Sequence, residues 1–278
     1  MNNSNIQSTK DRLKRISNEK GVEFNVVLRM HIYDSFVGRI SQSQYCDNFI
    51  LKGGYYLSQL YGVDNRSTID IDTEIRNARF TIEEITNMIE KVIDVDLGDG
   101  IKYSIVDISD IRGEGEYGGF RVRLKASIGK MIETFHVDVV TGDSVYPGPR
   151  KFEYKALLNE EVYGVWSYNI ETVLAEKLET IMSRLESSSR LKDYYDVYLI
   201  MSMSGDDIDT RVLGKAVKKT FEKREYNGNL LGGMKVVERS ERLRREWRRY
   251  AEKNEYARRV EYEQIVDALQ RLVSMTLA

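Results

Sequence analysis

Residues 67–75 read STIDIDTEI, two aspartates alternating with isoleucines, and this stretch decides the fold. Period-two alternation predicts a strand with Ile69, Ile71 and Ile75 on one face and Asp70, Asp72 and Glu74 on the other. Alternate side chains on one face stand about 7 Å apart. A solvated polar face explains the pattern, and so does a carboxylate pair built to hold a divalent metal.

Sixteen residues before Asp70, FILKGG (49–54) reads as a short buried strand that stops at paired glycines, with YYLSQLYG following as a helix. Such a turn presents unpaired backbone N–H groups and the positive end of a helix dipole, and glycine allows close backbone approach to phosphate oxygens. The GK[ST] of a Walker A loop is absent. Magnesium takes one or two carboxylates together with substrate phosphates, so the turn and the aspartates favour chemistry over a solvated face.

Working outward, 22–40 repeats apolar residues at helical spacing. FTIEEITNMIEKVI (80–93) has Thr81 as N-cap and Glu84 three residues on, the spacing of a capping box. Three β-branched runs at 101–111, 118–128 and 133–143 predict further strands of the same sheet. After Pro147 and Pro149, the only prolines, the pattern reads as helical. IETVLAEKLETIMSRLE (170–186) is a helix that Asn169 or Ser167 can cap, and GDDIDT (205–210) is a hinge into further helices. The chain is an α/β body of about 150 residues followed by a helical half.

At 41% hydrophobic and 31% charged, the 278 residues are globular and long enough for a buried core. Cys46 stands alone, which excludes a disulfide framework and a cysteine-based zinc site. His31 and His136 are too few for a histidine-rich metal centre. The polar N-terminus lacks the apolar core of a secretory signal, and no segment has bilayer-spanning length, so a cytoplasmic protein with no membrane partner is expected.

Further carboxylates and one lysine fall at telling positions. Lys177 lies inside the apolar stripe of its helix, either snorkelling along the core edge or aiming its ammonium at a triphosphate, and Arg184 shares its side. Asp193 and Asp196, in RLKDYYDVYLI, share a helical face. Asp193 suits a first-turn acid, and Asp196 lies deeper, where an idle carboxylate is costly unless paired. Asp138, in FHVDVV, is either a third carboxylate beside Asp70 and Asp72 or a hydrogen-bonded core acid.

FILKGGYYLSQLYG, RSTIDIDTEI, HVDVVTGD, ETVLAEKLETIMSR and RLKDYYDVYLI, in this order and spacing, resemble the AbiEii/AbiGii family of nucleotidyltransferase toxins over nearly the whole chain. The resemblance implies an α+β fold: a DNA-polymerase-β-like nucleotidyltransferase core, a mixed sheet with flanking helices, in residues 1–155. A helical C-terminal domain with Lys177, Asp196 and a basic surface follows in 156–278. It also implies a toxin of a bacterial toxin–antitoxin or abortive phage infection system. Such a toxin moves a nucleotide from an NTP to an acceptor, the 3′ end of tRNA in some relatives, which blocks translation. Its antitoxin, from the same operon, is expected to act without a stable complex.

Carried over by position, Lys52, Gly53, Gly54 and Tyr55 would form the nucleotide-binding turn, joined by Lys177 and Arg184. Asp70 and Asp72 would bind Mg²⁺ or Mn²⁺, with Asp138 as a third ligand. Lys177 and Asp196, with Asp193 as a further candidate, would complete the catalytic set. Tyr55 stands where many nucleotidyltransferases have Ser or Thr, which removes a short hydroxyl from the phosphate site.

Net charge is −2, but residues 211–278 carry 17 Lys and Arg against 10 Asp and Glu, leaving 25 basic and 34 acidic in 1–210. The basic run ERSERLRREWRRYAEK suits an acceptor's phosphate backbone, with Trp247, Tyr250 and Tyr256 available to stack on unpaired bases, although aromatics at this spacing are more often core. An ordinary solvated helical face gives the same charge pattern. The same parts also fit a kinase-like phosphotransferase or a non-catalytic nucleotide- or RNA-binding module.

Overall fold

The alternation at 67–75 forms strand β2 (Asp70–Ile75) in a computed structural model of the chain, which describes residues 3–111, 118–158, 161–187 and 190–277. β2 pairs antiparallel with β1 (Phe49–Lys52) and parallel with β5 (Met131–Val140). Among the described residues, seven strands form one mixed sheet. Its order is β3 (Lys102–Ile111), β4 (Gly119–Ile128), β5, β2, β1, β7 (Val162–Ser167), β6 (Arg150–Lys155). β3, β4 and β5 run as an antiparallel meander, and β7 pairs parallel with β1.

Alternation along the strands sorts the two sheet faces. Ile71, Val122, Leu124, Phe135, Val137 and Val139 are buried. Helix α2 (Phe24–Gln42) lies over this face, its Tyr33 and Phe36 rings 4.9 and 6.1 Å from that of Phe135. Helix α4 (Ile82–Ile93) packs against α2 and β3, and Thr81 caps it by accepting the Glu84 N–H at 3.2 Å. The other face keeps Arg121, Arg123 and Lys125 exposed and Asp70, Asp72 and Asp138 half-buried.

Three details differ from the sequence reading. Ile69 is 69% exposed, because the β2 ladder starts with Asp70 opposite His136 and Ile69 precedes that first pair. Glu74 shares the aspartate face yet is buried, with the Arg76 guanidinium donating to it at 3.2 Å. Residues 150–155 and 162–167 are strands and not helix. Tyr154 and Tyr163 face each other across the β6–β7 pair with rings 5.8 Å apart, and β7 completes its ladder on β1.

Contacts divide the chain into two units, Met1–Gly142 with Arg150–Ser167, and Asp143–Pro149 with Tyr168–Ala278. The second is helical. Helix α5 (Ile170–Arg184) is capped by Asn169, which accepts the Thr172 N–H at 2.8 Å, and packs on α6 (Leu191–Ser204) and α7 (Thr210–Lys223). Helices α8 (Leu230–Arg239), α9 (Glu241–Lys253) and α10 (Tyr262–Leu277) follow. On α9 the stripe Leu243, Trp247 and Ala251 is buried, and Arg242, Arg245 and Arg248 are exposed. Trp247 is therefore no base-stacking platform. Its indole stacks on Tyr195 at 6.5 Å and donates to the Val260 carbonyl. Tyr250 and Tyr256 are half-buried and share a hydroxyl–hydroxyl bond of 2.8 Å. Among the described residues no helix is long and apolar enough to cross a membrane.

Asp34 of α2 is buried, and burial lifts its carboxyl to about 7 against the pull of bonds from the Leu157 N–H, Tyr55 and Gln59. An unfolded aspartate titrates near 3.9, so from about pH 4 to 7 the folded chain holds a proton that the unfolded chain has released. Asp34 therefore makes stability fall as pH rises through that window, and its contribution is level above it. Urea titrations from pH 4 to 8 are expected to show the stability of Asp34→Asn gaining on wild type up to pH 7; a difference independent of pH contradicts this assignment.

Candidate active site

β1 and β2 pair so that Lys52 stands opposite Asp72, and the chain turns at once into α3 (Gly53–Tyr61). Gly53 adopts φ +66°, a left-handed conformation that glycine takes without strain. A Cβ on Gly53 would lie 1.9 Å from Asp72 Oδ2, so backbone and carboxylate meet with no room for a side chain. A Cβ on Gly54 would come within 2.8 Å of Thr68 Oγ1 and 3.0 Å of Arg66 Nη2. The first-turn N–H groups of α3, which lack helical acceptors, start at this point.

The parallel β2–β5 pairing sets Asp138 beside Asp72 and His136 beside Asp70. Asp70, Asp72 and Asp138 each offer a carboxylate oxygen within 4.8 Å of the others. Hard oxygen donors at this spacing suit Mg²⁺ or Mn²⁺. Thr68 Oγ1 donates to Asp70 Oδ1 at 2.8 Å. Arg121 clamps Asp138 through Nε and Nη2 at 2.7 and 2.6 Å. The Asp138 bonds, with the charges of Asp138, Asp70 and Asp72, hold the Arg121 guanidinium above its ordinary value.

The structure thus brings together Gly53, Gly54, Asp70, Asp72 and Asp138, with Lys52 at the end of β1. The Tyr55 side chain leaves this group: it is fully buried and its hydroxyl donates to Asp34 Oδ1 at 2.8 Å. Sequence reasoning passed over Thr68 and Arg121. Thr68 has the same strand parity as Asp70 and Asp72, a signal present in RSTIDID. Arg121 reaches Asp138 only through the β4–β5 register, which no local pattern encodes.

In the second unit Lys177 is buried and donates to Asp196 Oδ2 at 2.6 Å and Asp193 Oδ1 at 2.9 Å. Burial alone would lower the ammonium, but the two carboxylates outweigh it and hold Lys177 above the ordinary lysine value. Burial likewise pushes Asp193 up, and Lys177 with Arg190 overcomes it and holds it below the usual range. Arg190 Nε reaches Asp193 Oδ2 at 2.9 Å. The paired setting expected of a deep Asp196 is therefore supplied by Lys177, and a phosphate contact from this lysine requires its ammonium to leave a carboxylate. Arg184 is exposed at the end of α5. A second ion set, in which the exposed Arg224 reaches the buried Glu179 at 2.8 Å and Glu176 at 3.1 Å, had no sequence signal.

The family model of the nucleotidyl transferase AbiEii toxin, of type IV toxin–antitoxin systems, matches residues 35–270. The chain belongs to the AbiEii family. It is a nucleotidyltransferase and a toxin of a toxin–antitoxin system. Solved structures share its fold. MenT4, a nucleotidyltransferase toxin from Mycobacterium tuberculosis H37Rv, aligns with TM-score 0.57 and 14% identity over 95% of this chain and 98% of its own. A Helicobacter pylori protein described as a nucleotidyltransferase aligns at 0.56 and 13% over 92% and 96%. JHP933, also from H. pylori, aligns at 0.54 and 12% over 92% and 93%. No curated protein matches the sequence. The mixed sheet and helical second unit of this AbiEii protein agree with the α+β fold of those neighbours.

Two outcomes test this geometry. Gly53→Ala is expected to lower Mn²⁺ affinity, measured by calorimetry, about tenfold or more, as displaced ligand supports do. Gly98→Ala, also at positive φ but with nothing within 4 Å, leaves it unchanged. Lys177→Met removes the cation shared by two buried carboxylates and is expected to cost about 3–5 kcal/mol in urea unfolding. A loss under about 1 kcal/mol, the range of a surface pair, contradicts the buried ion triad.

Proposed function

We propose that this toxin transfers a nucleoside monophosphate from an NTP to the 3′ end of an RNA acceptor, tRNA first among them, and so blocks translation in the cytoplasm. The carrying observation is the convergence of the Gly53–Gly54 turn with the carboxylates of Asp70, Asp72 and Asp138. The α3 N-terminus seats the triphosphate through backbone N–H groups, where the helix dipole favours negative charge. Asp70 and Asp72, with Asp138, would hold Mg²⁺ or Mn²⁺. The ion, when bound, lowers the pKa of an acceptor hydroxyl and neutralises charge on phosphate oxygens.

In the transfer, the acceptor oxygen bonds to the α-phosphorus as the bond from that phosphorus to the β-bridging oxygen breaks. Pyrophosphate leaves and the hydroxyl proton passes to water. Thr68 holds Asp70 by its hydroxyl, and Arg121 holds Asp138, so two of the three carboxylates are oriented in advance. Lys177, Asp193 and Asp196 support the α5–α6 pair, and we assign Arg242, Arg245 and Arg248 of α9 to the acceptor's phosphates, an interaction that weakens as salt rises. The cognate antitoxin neutralises the toxin without a stable complex, so the co-expressed pair is expected to elute separately.

Labelling decides the reaction. Purified protein with Mg²⁺, total tRNA and each α-³²P-NTP in turn is expected to label RNA with pyrophosphate release, and Asp70→Ala abolishes the label while remaining folded. Transfer of label from γ-³²P-ATP with ADP release moves the assignment to a kinase, and a biological effect retained by Asp70→Ala moves it to a binding module.

A further inference from the structure

Asp34 carries an ionisable group in a place where none is needed for packing. Its carboxylate, on α2, is buried and takes three neutral donors: Tyr55 Oη at 2.8 Å and Gln59 Nε2 at 2.8 Å on Oδ1, and the Leu157 N–H at 2.7 Å on Oδ2. Among the described residues no lysine or arginine pairs with it. A buried carboxylate without a countercharge is expensive, and apolar packing would hold three segments together at lower cost. What a carboxylate adds is direction, since its two oxygens fix donors in angle as well as distance.

Two of those donors lie on α3. Tyr55 and Gln59 are four residues apart and so share one face of the helix. α3 spans nine residues, too short to keep its orientation without tertiary anchors. Its first residue, Gly53, abuts Asp72 with no side chain between them. A rotation of α3 about its axis therefore translates directly into a shift of the Gly53–Gly54 N–H groups against the carboxylates.

We propose that Asp34 is a positioning residue for nucleotide binding, acting through Tyr55 and Gln59 to set the rotation of α3 and hence the phosphate seat. The Tyr55 hydroxyl does not serve the phosphate. It faces the opposite way, as the inner anchor of the helix that does. The inference rests on the proposed use of the Gly53–Gly54 turn as that seat.

Tyr55→Phe keeps the ring between Tyr33 and Tyr154, 5.9 and 6.3 Å away, and removes only the hydroxyl. Tyr55→Phe/Gln59→Met removes both α3 anchors. The measurements are the Kd of each Mg²⁺–NTP by calorimetry, KM and kcat from the labelling assay, and urea unfolding. Val92→Ala, a cavity in the buried face of α4, serves as a control for stability loss alone.

Tyr55→Phe is expected to weaken the Kd and KM several-fold, and the double variant about tenfold or more, an effect typical of misplacement at a distance, with kcat changed less. Val92→Ala loses stability with its Kd unchanged. Wild-type Kd and KM in both anchor variants, whatever their stability, overturn the inference while transfer by wild type leaves the functional reading standing. Wild type that binds no NTP overturns both.

Discussion

The contact between the Gly53 backbone and the Asp72 carboxylate is the constraint on which the acidic face depends. Antiparallel pairing sets Lys52 opposite Asp72, so the chain leaving β1 runs straight into the carboxylate and must turn away within one residue. A left-handed glycine makes that turn, and α3 starts there because the turn leaves it no other place. The free N–H groups at the start of α3 and the carboxylate of Asp72 are thus brought together by the pairing of adjacent strands and not by long side chains reaching across a cleft. The parallel neighbour β5 then adds Asp138 at the same level of the sheet.

Buried charge is handled in two ways, and the first unit uses both, since its buried Arg39 pairs with Asp99. In the first, Asp34 is held by neutral donors alone, and burial lifts its pKa. In the second, the buried Lys177 is held by two carboxylates and keeps its charge, as the exposed Arg224 does between Glu176 and Glu179. The hydrogen-bonded acid responds to pH near neutrality. The Lys177 ammonium, held above the ordinary lysine value, does not, and the two ion sets tie α5 to α6 and to the end of α7.

How much of this was legible follows from how local each signal is. Asp70, Asp72 and the paired glycines were legible because strand alternation and a strand-to-helix turn leave marks within ten residues. The Thr81 and Asn169 caps were legible for the same reason. Asp138 was visible as a candidate, but its place beside Asp72 depends on a pairing across 66 residues. Arg121, the Lys177 triad and the Asp34 network depend on contacts between segments, and periodicity says nothing of which segments meet. Strands β6 and β7 were read as helical ground because each is six residues long, and β1, which joins β7 to the rest of the sheet, lies far upstream. Trp247 was offered to RNA because its neighbours are basic, and position along α9 placed it inward.

The parallel β1–β7 pair has a consequence for how the chain is made. Ile50 pairs with Trp166, so β1 leaves the ribosome with one edge that finds its partner only 116 residues later. At usual elongation rates that is on the order of ten seconds during which an apolar strand edge, FILK, stands open. All three aspartates have emerged well before then. Until β7 is made, the acidic face rides on an incomplete sheet whose β1 edge is open to edge-to-edge association.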